Sequence, residues 1–147
     1  MKEQTRRGLI RTGSIIMLVG IFLFPFIYMN SWSASEDGFH AASVTMFDLA
    51  IRYKSAAWLP VPICAIGLLV SSWIPNAAIA KAIRILLQVS AVGATLWNAF
   101  TNVWTGQTAA SLGPGAEVNL ELGFWIISLG LVIAMIGTLV PEEAPGK

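Results

Sequence analysis

The sequence predicts an all-α membrane protein, a single domain over residues 1–147 with four transmembrane helices in an antiparallel bundle. Composition is the first observation that favours this fold class. Of the 147 residues, 56% are hydrophobic and only 12% are charged, whereas soluble domains carry about 25% charged residues. Apolar runs are the second observation, because four of them approach or reach the roughly 20 residues that a helix needs to cross a bilayer.

Basic residues predict the orientation, because lysine and arginine favour the cytoplasmic side of a membrane. With the N-terminus inside, four spans place the C-terminus inside as well. Of the nine basic residues, two then lie outside, Arg52 and Lys54. The seven inner ones are Lys2, Arg6, Arg7, Arg11, Lys81, Arg84 and Lys147. This asymmetry predicts an N-in, C-in topology.

The first predicted helix covers residues 9–29 and follows a basic segment. Gly13 and Gly20 stand seven residues apart in it, which places them on one side of a helix. A basic start, an apolar run and then small residues are also typical of a secretory signal peptide. The bulky end of the run around Pro25 favours a retained transmembrane helix instead. Pro25 is expected to kink this helix, because proline lacks a backbone N–H.

Residues 30–56 form the predicted outer loop, and the second predicted helix covers residues 57–74. Apolar residues at helical spacing within 41–58 indicate a short amphipathic helix on the outer membrane surface; an irregular loop packed on the bundle is the alternative. Tryptophans near the ends of the predicted spans are typical of the aromatic belts of membrane proteins. These predicted interface aromatics are Trp58, Trp73, Trp104 and Trp125.

The third predicted helix, residues 80–104, carries polar side chains within its span. At about 100° per residue they share one sector of the helix, which we name the polar stripe. Polar groups that face lipid are costly, so the stripe is expected to face the bundle or a partner. Hydrogen bonds to neighbouring helices, the wall of a polar cavity and contact with a partner all stay open. The stripe consists of Gln88, Thr95, Asn98, Asn102 and Thr105.

The fourth predicted helix, residues 120–140, has a glycine every seven residues. This period keeps the glycines on one side of the helix and leaves a groove into which another helix can pack closely. A ligand groove is the minority interpretation. With those of the first helix, the predicted helix-packing residues are Gly13, Gly20, Gly123, Gly130 and Gly137.

No residue pattern in the chain indicates catalytic chemistry, and we predict that the protein is not an enzyme. His40 is the only histidine and Cys64 the only cysteine, so a bis-histidine haem or a metal site rich in these residues is not expected. The net charge of +1 gives no indication of a nucleic-acid partner. No cofactor is evident in the sequence, and a bound lipid or pigment stays open.

Three short sequence elements occur in a characteristic order along the chain. They are Phe24-Pro25, then Phe47-Asp48-Leu49-Ala50, then Gly123-Phe124-Trp125 with Gly130 and Gly137. In this order the chain resembles a set of small bacterial four-helix (tetraspan) membrane proteins that have no assigned activity. The resemblance implies a fold and a bacterial inner-membrane location, and it implies no catalytic residues.

The predicted function is that of a non-catalytic accessory subunit of a larger bacterial membrane complex. It would be a multi-pass protein of the cytoplasmic (inner) membrane, with the lipid bilayer and other membrane subunits as its partners. Small-residue helix faces favour this function, as does the lack of an ionisable group in mid-span. The alternative is a small transporter or channel component that uses the polar stripe.

Overall fold

The structure is a computed structural model that describes residues 2–33, 38–51, 56–74, 77–104 and 115–141. Five helices, three strands and two short helical turns lie in these ranges. In chain order they are α1 (Glu3–Leu23), β1 (Pro25–Ser33), β2 (Gly38–Thr45), α2 (Met46–Ile51), a 3₁₀ turn (Ala56–Trp58), α3 (Pro60–Ser71), α4 (Ala77–Ala99), a π-helical turn (Phe100–Trp104), β3 (Glu117–Leu120) and α5 (Leu122–Leu139).

The prediction of an all-α bundle with four spans is wrong. The chain contains a three-stranded antiparallel sheet with the order β2-β1-β3. Within the described residues, two helices are long and apolar enough to cross a membrane, Ala78–Ala99 and Leu122–Leu139. α1 and α3 do not meet this criterion. The first half of α1 carries several charged side chains. α3 has only 12 residues, which span about 18 Å at 1.5 Å per residue.

Pro25 ends the first predicted helix, residues 9–29, whereas the prediction was that it would only kink this helix. Proline cannot donate to a carbonyl one turn back, and it disfavours helical geometry in the residue before it. Accordingly α1 ends at Leu23, and Phe24 is extended with φ −116° and ψ 139°. The aromatic and branched residues that follow favour a strand, so the last part of the apolar run becomes β1.

Strand β1 is the centre of the sheet. Ile27 pairs with Val44 of β2 on one side and with Leu120 of β3 on the other. Asn30 ties the first residue of β3 to β1, because its Oδ1 accepts a hydrogen bond from the Glu117 backbone N–H at 2.7 Å. Residues 30–56, predicted as the outer loop, therefore contain the last four residues of β1 together with β2 and α2.

The four long helices lie side by side, and the sheet lies at one end of them. At this sheet end α1 leads into β1, and β3 leads into α5. The opposite end, which we name the basic end, holds the starts of α1 and α4 and the ends of α3 and α5. α5 packs along most of α1, and α3 contacts both α1 and α4, whereas α4 and α5 touch in few places.

Aromatic residues join the sheet to the helices. Phe26 of β1 is fully buried, with its ring centroid 5.0 Å from that of Trp58 and 5.7 Å from that of Phe124. Both contacts are edge-on, the arrangement that aromatic pairs prefer. The sheet is therefore fixed to the 3₁₀ turn before α3 and to the first turn of α5.

Candidate functional site

The polar stripe of α4 faces the interior of the protein. Gln88 is buried, and its Nε2 donates to Thr138 Oγ1 of α5 at 3.0 Å. Asn98 is also buried, and its Nδ2 donates to the carbonyl oxygens of Ala57 at 3.0 Å and Ala94 at 2.7 Å. Gln88 therefore connects α4 to α5, and Asn98 connects α4 to the 3₁₀ turn before α3. Both side chains are hydrogen-bonded, as buried polar groups generally are.

Thr95 is the remaining member of the stripe whose surroundings are described. It is buried, and its Oγ1 has no hydrogen-bond partner among the described residues. Asn102 lies in the π-helical turn, with its side chain outside the described part, and Thr105 lies outside the described residues altogether. The structure thus brings Gln88, Thr95 and Asn98 to one face of α4.

Two cavities follow the groove between α4 and α5. One, of about 210 Å³, lies beside Gln88 and is otherwise lined by apolar residues that include Val89, Val92 and Met135. The other, of about 160 Å³, lies beside Thr95 and shares Val92 and Met135 with the first. The groove is therefore apolar along its length, and it does not resemble an aqueous path.

Four of the five predicted helix-packing glycines lie between α1 and α5, and the fifth, Gly123, lies against the residues that follow α1. A Cβ atom added to Gly130 would lie 2.6 Å from the carbonyl oxygen of Gly13. Towards the sheet, a Cβ on Gly20 would meet Ile127, and one on Gly123 would lie 2.7 Å from the carbonyl oxygen of Phe24. Towards the basic end, a Cβ on Gly137 would lie 2.9 Å from the Arg6 carbonyl oxygen.

The predicted interface tryptophans have different environments. Trp58 is 3% exposed and lies in the core against Phe26. Trp73, Trp104 and Trp125 are each about 60% exposed. Trp73 lies at the basic end, whereas Trp104 and Trp125 lie near the sheet end.

Arginines cap the end of α3, an arrangement that the sequence reasoning missed. Arg84 is 4% exposed; its Nε donates to Ser71 Oγ at 2.9 Å and its Nη2 to the Ser71 carbonyl oxygen at 2.6 Å. Arg11 Nε donates to Ser72 Oγ at 3.0 Å. Cations are favourable at a helix C-terminus, where carbonyl groups lack partners. A signal existed, since Arg84 precedes Gln88 by four residues and so continues the polar stripe.

Residue types that could support catalysis are dispersed in the described part of the chain. No three histidine, cysteine, aspartate or glutamate residues there come together as metal ligands. Cys64 is buried in α3. Asp48 lies in the first turn of α2, where its Oδ2 accepts a hydrogen bond from Thr45 Oγ1 at 2.9 Å and its backbone N–H donates to Thr45 Oγ1 at 3.1 Å. The second bond caps the start of the helix.

Comparison with known proteins returned no relationship. No protein-family model matches the chain, and no curated protein or solved structure is significantly similar to it.

Proposed function

We propose that the protein is a non-catalytic, multi-pass subunit of a larger complex in the bacterial cytoplasmic membrane. In this proposal α4 and α5 cross the bilayer, and the sheet lies at its outer surface. The basic end faces the cytoplasm, as the preference of lysine and arginine for that side predicts.

Apolar side chains on the outside of the helices support the membrane location. On α4, Leu86 is 68% exposed and Val89 is 64% exposed, and Leu129 on α5 is 56% exposed. α1 and α3 also present large apolar side chains outwards, such as Phe22 and Ile63. Contiguous exposed apolar surface on this scale is unusual for a soluble monomer and is stable in lipid.

The outward face of α4 is the observation that carries the proposal of a partner. Ser90 and Gly93 are exposed there, between the bulky side chains of Val89 and Trp97. A Cβ atom added to Gly93 would meet nothing within 4 Å, so this glycine has no packing role within the described chain. Small residues among large ones allow close approach of a second helix in a membrane.

The polar stripe gives less support to the alternative of a transporter or channel. Gln88 and Asn98 use their amide groups in hydrogen bonds within the chain. The cavities beside Gln88 and Thr95 are lined mainly by apolar side chains. A subunit that packs against other membrane proteins agrees better with these contacts than a subunit that conducts a polar solute.

Purification from the native membrane tests the proposal. The full chain carries a C-terminal tag and is extracted in mild detergent, and the co-purified proteins are identified and quantified. We expect stoichiometric recovery with larger membrane subunits. Gly93→Leu should reduce that recovery about tenfold, since a helix contact in a membrane is worth roughly 1–2 kcal/mol.

A matched variant separates this effect from general disturbance of the lipid-facing surface. Ile66→Trp adds bulk to the exposed face of α3, and it should leave the recovery of partners unchanged. Recovery of the unaltered chain alone, or equal partner recovery with Gly93→Leu, would contradict the proposal.

A further inference from the structure

The first turns of α1 border an open depression of about 690 Å³ at the basic end. It is lined by Glu3, Gln4, Arg7, Gly8 and Arg11. Gly8 leaves room in its floor, because a Cβ atom added there would meet none of the described residues within 4 Å. The depression therefore places two guanidinium groups beside a space that a small group can enter.

Among the described residues, positive charge exceeds negative charge around this depression. Glu3 is the one acidic residue of α1, and it already binds two arginines: Arg7 Nε lies 2.7 Å from its Oε1, and Arg6 Nη1 lies 3.4 Å from its Oε2. Arg11 and Arg84 form no ion pair with a carboxylate in the described part of the chain, where both bond to the serines that end α3. An anion placed here would lower the repulsion among these cations.

An exposed apolar stripe continues from the depression along the same face of α1. Ile15, Val19 and Phe22 follow Gly8 and Arg11 at helical spacing, and all three are exposed, at 53%, 37% and 46%. A ligand with an anionic head and an apolar tail would contact both the arginines and the apolar stripe. A free anion would contact only the arginines.

We propose that the depression at the start of α1 binds the phosphate group of an anionic phospholipid, with Arg7 and Arg11 as its ligands. The forked N–H donors of arginine match phosphate oxygens in geometry and charge. Gly8 leaves the space for the phosphate, and an acyl chain lies along Ile15, Val19 and Phe22. Arg84 acts as a positioning residue, because it holds the end of α3 to which Arg11 also bonds. The proposal rests on the membrane location but not on the existence of a host complex.

Lipid binding to the purified full-length chain tests this proposal. The chain is held in an uncharged detergent and titrated with phosphatidylglycerol or with phosphatidylcholine of the same acyl composition. Native mass spectrometry counts the bound lipid, and the thermal midpoint reports stabilisation. We expect phosphatidylglycerol to bind at least about tenfold more tightly than phosphatidylcholine, because the choline ammonium of the control lipid cancels the phosphate charge and is repelled by the arginines.

Variants locate the site. Arg11→Gln and Gly8→Leu should each weaken phosphatidylglycerol binding about tenfold, the first by removing a donor and the second by filling the space. Gly8→Ala adds a single methyl group and favours the helix, so it should retain most of the binding. Lys81→Gln removes an exposed cation of the basic end that does not line the depression, and it should retain the binding as well.

Three results would overturn the proposal. Equal binding of the two lipids would exclude selection for an anionic headgroup, because both lipids carry a phosphate group and only phosphatidylglycerol has a net negative charge. Equal weakening by Lys81→Gln and Arg11→Gln would show attraction to charge in general and no defined site. An equal rise of the thermal midpoint with inorganic phosphate or glycerol phosphate would identify a soluble phosphate as the ligand. If Arg11→Gln does not fold, Gly8→Leu still decides the question. The described residues leave space around position 8, so the added leucine side chain should not disturb the fold. Each assay uses the isolated chain, so its result is independent of partner recovery.

Discussion

At the scale of single residues, the contact between α1 and α5 depends on glycines, which have no side chain. The backbones approach closely at Gly13 and Gly130, where an added Cβ would meet backbone atoms of the other helix. A backbone atom cannot move aside as the end of a flexible side chain can, so even one methyl group forces the helices apart. In lipid, where apolar burial gives little drive for helices to associate, this close packing is a main source of helix–helix stability.

Gly130→Ala is therefore expected to destabilise the protein by about 1–3 kcal/mol, the usual effect of overpacking. Its Cβ would lie 2.6 Å from the Gly13 carbonyl oxygen and 2.8 Å from the backbone N of Met17. Thermal unfolding in detergent measures the change. Gly93→Ala is the matched control, because it has open space on α4 and gains up to about 1 kcal/mol of helix propensity. Equal stability of the two variants would contradict this account of the contact.

Some residue environments followed from sequence periodicity and others did not. A seven-residue period puts glycines on one side of a helix, whichever helix they then face. Trp58 shows the limit of such reasoning: a tryptophan beside an apolar run is typical of a membrane interface, yet this one is buried against Phe26. Its environment depends on a strand that the sequence reasoning did not predict.

At the scale of elements, β1 was missed because its residues prolong the apolar run of α1. Phe26, Ile27 and Tyr28 are as apolar as the helix before them, so hydropathy alone does not separate the two. Pro25 and the β-favouring side chains after it were the available signals. β3 has only four residues, and the Asn30–Glu117 contact that holds it spans 87 residues of sequence. Local patterns carry almost no information about a pairing so distant.

Asn30→Ala should loosen β3 from the sheet. The Asn30 side chain accepts from the Glu117 N–H at 2.7 Å and donates to Glu117 Oε2 at 3.4 Å. Loss of the shorter bond costs about 1 kcal/mol, so amide hydrogen exchange in Glu117–Leu120 should become roughly fivefold faster, as RT of about 0.6 kcal/mol implies. Ser43→Ala, an exposed position on β2, should leave β3 unchanged. Faster exchange through the whole chain would instead indicate global destabilisation.

At the scale of the whole molecule, the protein has two chemically different ends separated by an apolar middle. The 18 residues of α5 span about 27 Å at 1.5 Å per residue, close to the hydrocarbon thickness of about 30 Å. Among described residues, the acids Asp48, Glu117 and Glu121 lie at the sheet end. The other end holds Arg84 and the arginines of α1, together with one acid, Glu3. The preference of arginine and lysine for one side of a membrane favours such a distribution.

Cysteine labelling in intact cells tests that orientation, and the chain suits it because its one cysteine, Cys64, is buried. In a Cys64→Ala background, Ser43→Cys places a thiol on β2 and Lys81→Cys places one near the start of α4, both at exposed positions. A membrane-impermeant maleimide should label Ser43→Cys in intact spheroplasts and Lys81→Cys only after permeabilisation, since the bilayer separates the two ends. Lys2→Cys should behave like Lys81→Cys, because both lie at the basic end. Equal labelling of both ends without permeabilisation would mean that no membrane lies between them, and the membrane location would then be wrong.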